Sequence, residues 1–214
     1  KGEKNSEVSV DSVANRGEWK VESGELEKDH SFNETASHRN VGLVIETRPN
    51  EINPDEIRWL RRLGVTKAQM GAQSLDDRIL EMNKRGHNVE RTRQATALLR
   101  AAGFKIVLHW MPNLHGATPE SDREDFAKLW NDFCPDEIKI YPNQLLANAE
   151  LYEYWQRGEF TPYTTQELID LIADIKPIIQ SDAYVSRVEA LLLPQILIRS
   201  KAAAEFGCYT WVSE

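Results

Sequence analysis

Charged and hydrogen-bonding side chains follow four short apolar segments of this 214-residue chain. They form clusters at residues 46–49 (Glu-Thr-Arg-Pro), 71–74 (Gly-Ala-Gln-Ser), 111–113 (Met-Pro-Asn) and 139–142 (Lys-Ile-Tyr-Pro). Carboxylate, amide, hydroxyl and ammonium groups are the ones that bind and orient a charged small molecule. Because ligands of parallel α/β proteins bind at the carboxyl ends of the strands, the four clusters predict one shared site.

The elements that must position these clusters are four strands separated by helices. We expect the strands at residues 41–47, 66–72, 104–110 and 137–141, since these runs are apolar and β-branched. Cap-like residues predict where the intervening helices begin, at Asn53, Asn88, Thr118 and Thr164. Strands that alternate with helices imply a parallel α/β sheet. A closed eight-unit barrel needs about 250 residues, so residues 41–188 suffice for half to two-thirds of a barrel.

Two charged residues of the strands require a partner. Lys139 lies in a short buried strand and needs an anion, which is either a carboxylate or phosphate of the substrate or the Glu46 carboxylate. Tyr141 would stack or hydrogen-bond nearby. Glu46, at the end of an apolar strand, either binds a ligand or pairs with Arg48, because an unpaired buried carboxylate is costly.

The remaining candidates lie in turns. Gln73 and Ser74 follow Gly71, whose missing side chain lets a ligand approach the backbone; the alternative is an ordinary turn. Lys84 and Arg85 either contact RNA phosphate or form a structural turn. His109 and His115 are weak evidence for a metal and are better explained as core or rim residues, so no metal ligand is assigned.

Composition excludes several classes of protein. The chain has 34 acidic and 26 basic residues, yet residues 58–105 hold 11 basic and 4 acidic ones, which either face phosphates or are simply solvated. Two cysteines exclude a disulfide framework and a cluster or zinc site made by this chain's thiolates alone. No apolar run reaches the ~18 residues of a membrane span, and no secretory signal is present, so we expect a cytoplasmic protein without a membrane partner.

Six sequence blocks occur in a fixed order between residues 39 and 176: VGLVIETRP, QMGAQSLDD, NKRGH, GFKIVLHWMPNLHG, EIKIYP and LYEYWQRGEFTPYTTQELIDLI. Together they resemble the radical-SAM domain of the Elongator catalytic subunit family, in a form similar to its bacterial members. The GAQSLDD block alone would indicate only the wider radical-SAM group that includes coproporphyrinogen dehydrogenase-like enzymes. The RGH, KIYP and YWQRG blocks narrow the resemblance to the Elongator type.

The resemblance implies a partial (β/α) radical-SAM barrel of about four parallel strand–helix units out of six. It implies S-adenosylmethionine (SAM), a 4Fe-4S cluster and acetyl-CoA, with the wobble uridine of tRNA as substrate. In the family, reductive cleavage of SAM gives a 5′-deoxyadenosyl radical that abstracts hydrogen from acetyl-CoA, and the acetyl-derived radical adds to C5 of the uridine. No catalytic residue is assigned. The implied SAM-binding residues are Glu46, Gln73, Ser74 and His109. The substrate-binding candidates, selected by residue type and position, are Lys139, Tyr141, Lys84 and Arg85.

The chain also departs from the family. Residues 1–38 contain no cysteine triad and are predicted to be a disordered linker or insertion; residues 39–188 form the barrel, and 189–214 an atypical tail. With no acetyltransferase domain either, the chain is expected to be a fragment that is inactive by itself. The predicted partners are tRNA, acetyl-CoA and, outside bacteria, other subunits of an Elongator-like assembly. The alternatives are a cluster-free barrel fragment that binds RNA or protein, and a coproporphyrinogen-oxidising enzyme.

Overall fold

The computed structural model describes residues 23–179 and 184–188 and divides the chain into two units, residues 1–41 and 42–214. In the first unit, helix α1 spans Ser23–Thr35. In its last turn, Asn33 Nδ2 donates to the Asn40 carbonyl (2.8 Å), and Asn40 N donates to Asn33 Oδ1 (2.8 Å). The prediction that residues 1–38 lack regular structure is therefore wrong for α1. Its sequence contains three Glu residues, which favour helix, but it has no apolar stripe that could reveal it.

The second unit is built on one parallel sheet of five strands in sequential order, β1 to β5. The strands are β1 (Leu43–Thr47), β2 (Val65–Gln73), β3 (Lys105–Trp110), β4 (Glu137–Ile140) and β5 (Tyr184–Val188). The four predicted strands and their parallel pairing are confirmed. The fifth pairs with β4 and was not predicted, because its sequence YVSRV carries a polar pair in a run of only five residues.

Among the described residues, six α-helices connect these strands: α2 (Pro54–Arg62), α3 (Asp77–Met82), α4 (Val89–Ala101), α5 (Pro119–Lys128), α6 (Leu151–Gln156) and α7 (Thr165–Ile175). The predicted caps are confirmed, since the side chains of Asn53, Asn88, Thr118 and Thr164 each accept a backbone N–H of the first turn. Helix α6 is short, with six residues. A turn in which Ala149 N donates to the Leu146 carbonyl precedes it.

The two faces of the sheet differ in chemistry. One face packs against the helices and is apolar, with a core that includes Met70, Leu108, Trp110, Ile138 and Ile140 of the sheet. The opposite face carries charged and amide side chains from β1 to β4: Glu46, Lys67, Gln69, His109, Glu137 and Lys139. A sheet with helices on one face and polar groups on the other is suited to hold a ligand on the polar face.

Candidate functional site

Gln69 links the polar residues of three neighbouring strands. Its Oε1 accepts a hydrogen bond from Lys139 Nζ at 2.7 Å and lies 3.0 Å from His109 Nε2. On the other side of the imidazole, His109 Nδ1 is 3.6 Å from Glu46 Oε1. The Tyr141 ring meets the His109 ring edge-on, with centroids 5.4 Å apart. Predicted site residues of β1, β3 and the end of β4 are thus brought together through Gln69, which the sequence analysis did not select.

The parallel register explains this arrangement. His109 lies opposite Lys139, Gln69 opposite Val107, and Glu46 opposite Gln69 in Cα pairing. Residues two apart on a strand share a face, so Gln69 reaches the row formed by His109 and Lys139. One level below, Lys67 forms an ion pair with the buried Glu137. The Gln69 level lies nearer to the carboxyl ends of the strands than this pair does.

Both pairings proposed for Glu46 and Lys139 are wrong. Lys139 is bonded to the Gln69 amide and not to Glu46. Glu46 is close to His109 and not to Arg48, and its side chain is 68 % exposed, so its charge carries no burial cost. His109 is 6 % exposed, and this burial lowers the pKa of its imidazole, although Glu46 acts in the opposite direction. A neutral histidine beside an exposed carboxylate is able to take part in proton exchange with a ligand.

A half-buried arginine lies beside the end of β2. The Arg85 guanidinium points to Gly71, because a Cβ built on that glycine would be 3.6 Å from an Arg85 terminal nitrogen and 2.7 Å from Gln73 Nε2. Arg85 Nε and Gln73 Oε1 are both buried and without a hydrogen-bond partner. Burial, and secondly the charge of Arg48, lowers the pKa of Arg85. Buried polar atoms are rarely left unpaired, so the Arg85 Nε donor matches an anionic group of a ligand and the Gln73 Oε1 acceptor matches an N–H or O–H group.

Lys84 and Ser74 do not join these two clusters. Lys84 is exposed and forms an ion pair with Glu150, away from the guanidinium of its neighbour Arg85. The Ser74 hydroxyl accepts from Asp76 N at 3.2 Å and bonds to the Asp125 carboxylate, which also receives Trp110 Nε1 at 3.0 Å. Ser74 therefore belongs to a hydrogen-bond network with Asp125 of α5 and not to the Gln69 cluster. Lys84 and Arg85, which the sequence analysis treated as one basic pair, have different surroundings.

A buried network fixes the loops that frame the site. Asp122 accepts from Asn113 N and from the Tyr163 hydroxyl, each at 2.9 Å. Asn113 in turn donates to the Asn143 carbonyl at 2.8 Å and accepts from Tyr163 N at 2.9 Å. These bonds join the segment after β3 to the segment after β4. The loops are thereby held in one arrangement beside His109 and Tyr141.

The part of the chain that the structure describes contains no cluster of three His, Cys, Asp or Glu side chains suited to a metal ion. Its cysteine, Cys134, lies just before β4, at the opposite end of the strand from the predicted site. A 4Fe-4S cluster is held by cysteine thiolates, and the sequence has two cysteines in all. The residues present do not fit that cluster. The described helices also include none long and apolar enough to cross a membrane.

Two families match this chain. The Radical SAM superfamily matches residues 21–129, and the Radical_SAM C-terminal domain matches residues 135–207. The first match includes α1, and the second extends into residues 189–214, which lie outside the described residues. Both terminal segments that the sequence analysis set apart from the barrel are thus partly included in a family match.

Characterised relatives align with most of this chain. A tRNA uridine(34) acetyltransferase of Methanocaldococcus infernus is 39 % identical over 87 % of this chain and 35 % of the relative. The protein of that name from Dehalococcoides mccartyi is 42 % identical over 78 % of this chain and 37 % of the relative. Elongator complex protein 3 of Saccharomyces cerevisiae is 33 % identical over 70 % and 27 %. The chain spans about a third of the length of these relatives.

Solved structures agree on the fold. The structure of M. infernus Elp3 superposes with a TM-score of 0.77 at 36 % identity, covering 83 % of this chain and 45 % of that one. Coproporphyrinogen III oxidase of Escherichia coli, at 18 % identity, covers 72 % of this chain and 36 % of that one with a TM-score of 0.53, which shows the barrel-type fold alone. With its parallel sheet, its polar strand ends and these matches, the chain belongs to the radical SAM superfamily.

Proposed function

We propose that this chain carries the SAM- and substrate-binding sheet of a tRNA-modifying enzyme that acts on the wobble uridine. The observation that supports it most is the pair of unpaired buried atoms, Arg85 Nε and Gln73 Oε1, at the end of β2 beside Gly71. The relatives named for tRNA uridine(34) acetylation and for the Elongator complex supply the substrate class. They do not favour the coproporphyrinogen-oxidising alternative or a cluster-free binding module.

SAM fits the residues present. The Arg85 guanidinium provides N–H donors for its carboxylate, which a planar guanidinium binds well. Gln73 Oε1 and the exposed Glu46 carboxylate provide acceptors for its ammonium group. SAM supplies the 5′-deoxyadenosyl group in radical-SAM chemistry, while the protein supplies binding and orientation. The two cysteines of this sequence are fewer than the three thiolates that the cluster requires, so the role of these residues is to bind and orient SAM.

The substrate side of the proposal rests on the row above the Lys67–Glu137 pair. The Lys139 ammonium group donates one N–H to Gln69, and in this proposal another N–H donates to a substrate oxygen. Tyr141 packs against His109 at the rim, where a base or an acyl group would enter. Acetyl-CoA as the acyl donor and Elongator-type subunits as partners are proposals that rest on the relatives' names and the sequence resemblance.

The tRNA part of the proposal is testable at Lys84, whose side chain is 65 % exposed beside the site edge and paired with Glu150. We expect Lys84→Glu to weaken tRNA binding and to lower the slope of log affinity against log salt by about one unit, because a phosphate contact is lost. The measurement is tRNA affinity over a salt series.

Lys105→Glu is the matched control. Lys105 is 68 % exposed and also paired with a carboxylate, Asp136, but it begins β3 at the opposite end of the sheet. We expect its reversal to leave the salt slope as in the unaltered chain. Equal effects of the two reversals would show a diffuse charge effect and contradict a tRNA interface at the site edge.

A further inference from the structure

Gln69 has a property that no sequence pattern assigns to it: its amide can face in only one direction. The two ends of a glutamine amide are an acceptor oxygen and a donor nitrogen, and they are told apart by their hydrogen-bond partners. Lys139 Nζ is an ammonium group that only donates, and it lies 2.7 Å from one end of the amide. That end must therefore be Oε1.

The same oxygen decides the protonation of His109. His109 Nε2 lies 3.0 Å from Gln69 Oε1, and an oxygen without hydrogen cannot donate to it. Nε2 must carry the proton of the neutral imidazole, which leaves Nδ1 as an unprotonated acceptor. Nδ1 faces Glu46 Oε1 at 3.6 Å, so two acceptors stand side by side at the open side of the row.

Glu46 alone would favour the opposite tautomer, because a carboxylate prefers to accept a proton from the near nitrogen, Nδ1. The groups that surround the imidazole are Gln69, Glu46, Lys139 and Tyr141. Of these, only the Gln69 oxygen contacts Nε2 among the contacts that the structure describes. The arrangement thus holds His109 against the preference of its carboxylate neighbour.

We propose that Gln69 is a positioning residue through which Lys139 holds His109 in its Nε2–H tautomer. In that tautomer, His109 Nδ1 and the Glu46 carboxylate form a site of two acceptors for an N–H or ammonium group of the ligand. Only the identity of that donor rests on the proposed function, where it is the ammonium group of SAM. The tautomer itself is a property of the free chain. A wrong tautomer in the free chain would contradict this proposal, whereas a lack of SAM binding would contradict the proposed function alone.

The test is the tautomer of His109, read from the nitrogen chemical shifts of the imidazole in the ¹⁵N-labelled chain at pH 8, where the histidine is neutral. We expect the Nε2–H form in the unaltered chain and in Gln69→Glu, whose carboxylate also can only accept. In Lys139→Met the amide is free to rotate and donate to Nε2. We expect His109 to change to the Nδ1–H form and to donate to Glu46.

Gln69→Leu removes the oxygen directly and is expected to give the Nδ1–H form as well. Gln94→Leu, on the surface of α4, is the matched control and should leave the Nε2–H form unchanged. Folding of each variant is checked by its amide spectrum, and Lys139→Met provides the result if Gln69→Leu does not fold. The proposal is overturned if the unaltered chain shows the Nδ1–H form, or if Lys139→Met keeps the Nε2–H form.

Discussion

The chemistry of single side chains in this protein depends on which of them are left without a partner. Arg85 Nε and Gln73 Oε1 are buried atoms without a hydrogen-bond partner, whereas the carboxylates of the buried Asp122 and Asp125 each accept hydrogen bonds. The first pair is available to a ligand, while the second holds loops together. Burial of a polar group therefore marks a binding site here only where hydrogen bonds are missing.

Asp122 should make the stability of the protein depend on pH. Burial raises the pKa of its carboxyl to about 6 from an ordinary 3.8, so the folded state binds this proton more tightly than the unfolded state. The folded state is favoured below pH 4, and that contribution is lost as the pH rises through 6. At about 1.4 kcal/mol per pKa unit, the effect is at most about 3 kcal/mol.

We expect Asp122→Asn to reduce the fall in the free energy of unfolding between pH 4.5 and 7, because an amide does not titrate. The variant should still fold, since its amide oxygen can accept from Asn113 N and the Tyr163 hydroxyl. Urea unfolding at the two pH values measures this. Asp55→Asn, at a carboxylate that is 94 % exposed, is the control and should leave the pH dependence unchanged. A variant of Asp122 with the full pH dependence would show that another group is responsible.

At the scale of secondary structure, the loops after the strands are fixed by glycines and asparagines as much as by the core. Gly116, after β3, has a φ of 88°, and its carbonyl accepts from Arg78 at 2.9 Å. Asn83 Nδ2 donates to the neighbouring His115 carbonyl at 2.9 Å. These contacts join the β3 loop to α3, which begins immediately after the Gln73–Ser74 turn.

Gly116→Ala should destabilise the protein more than Gly86→Ala. Both glycines have a positive φ, so both substitutions carry left-handed strain of about 1 kcal/mol. At Gly116 the added Cβ would also lie 2.6 Å from the Met82 sulfur, while at Gly86 it would meet nothing within 4 Å. We expect a further loss of about 1–2 kcal/mol at Gly116, measured by denaturant unfolding. Equal losses would mean that α3 and the β3 loop move apart without cost.

The sequence was informative about elements and much less so about partners. Asn53, Asn88, Thr118 and Thr164 mark helix starts because a cap is a local interaction. The bond from Lys139 to Gln69 joins residues 70 apart, and a single glutamine inside a strand carries no local signal. Position at the strand ends selected Glu46, Gln73, His109 and Lys139, but only the register of β1 to β4 shows which of them touch.

For the molecule as a whole, the basic excess of residues 58–105 is largely used within the fold. Arg100 donates to the carbonyls of Phe133 and Cys134, and Arg61 stacks over Phe104. Arg93 is paired with Asp132. These three arginines therefore take part in contacts within the fold. Lys84 and Arg85 stand at the site edge with different surroundings, one exposed and one half-buried.

We propose that Arg85, beside the end of β2, binds the methionyl carboxylate of SAM. The most direct measurement is equilibrium dialysis of the chain against SAM and against 5′-methylthioadenosine, which has the adenosine but no carboxylate. We predict that Arg85→Ala weakens SAM binding by about 10- to 100-fold, because a charge-assisted hydrogen bond is lost, and leaves methylthioadenosine binding unchanged. The exposed Arg58→Ala control should bind both ligands as the unaltered chain does. Unchanged SAM affinity in Arg85→Ala, or an equal loss for both ligands, would contradict a contact between Arg85 and the SAM carboxylate.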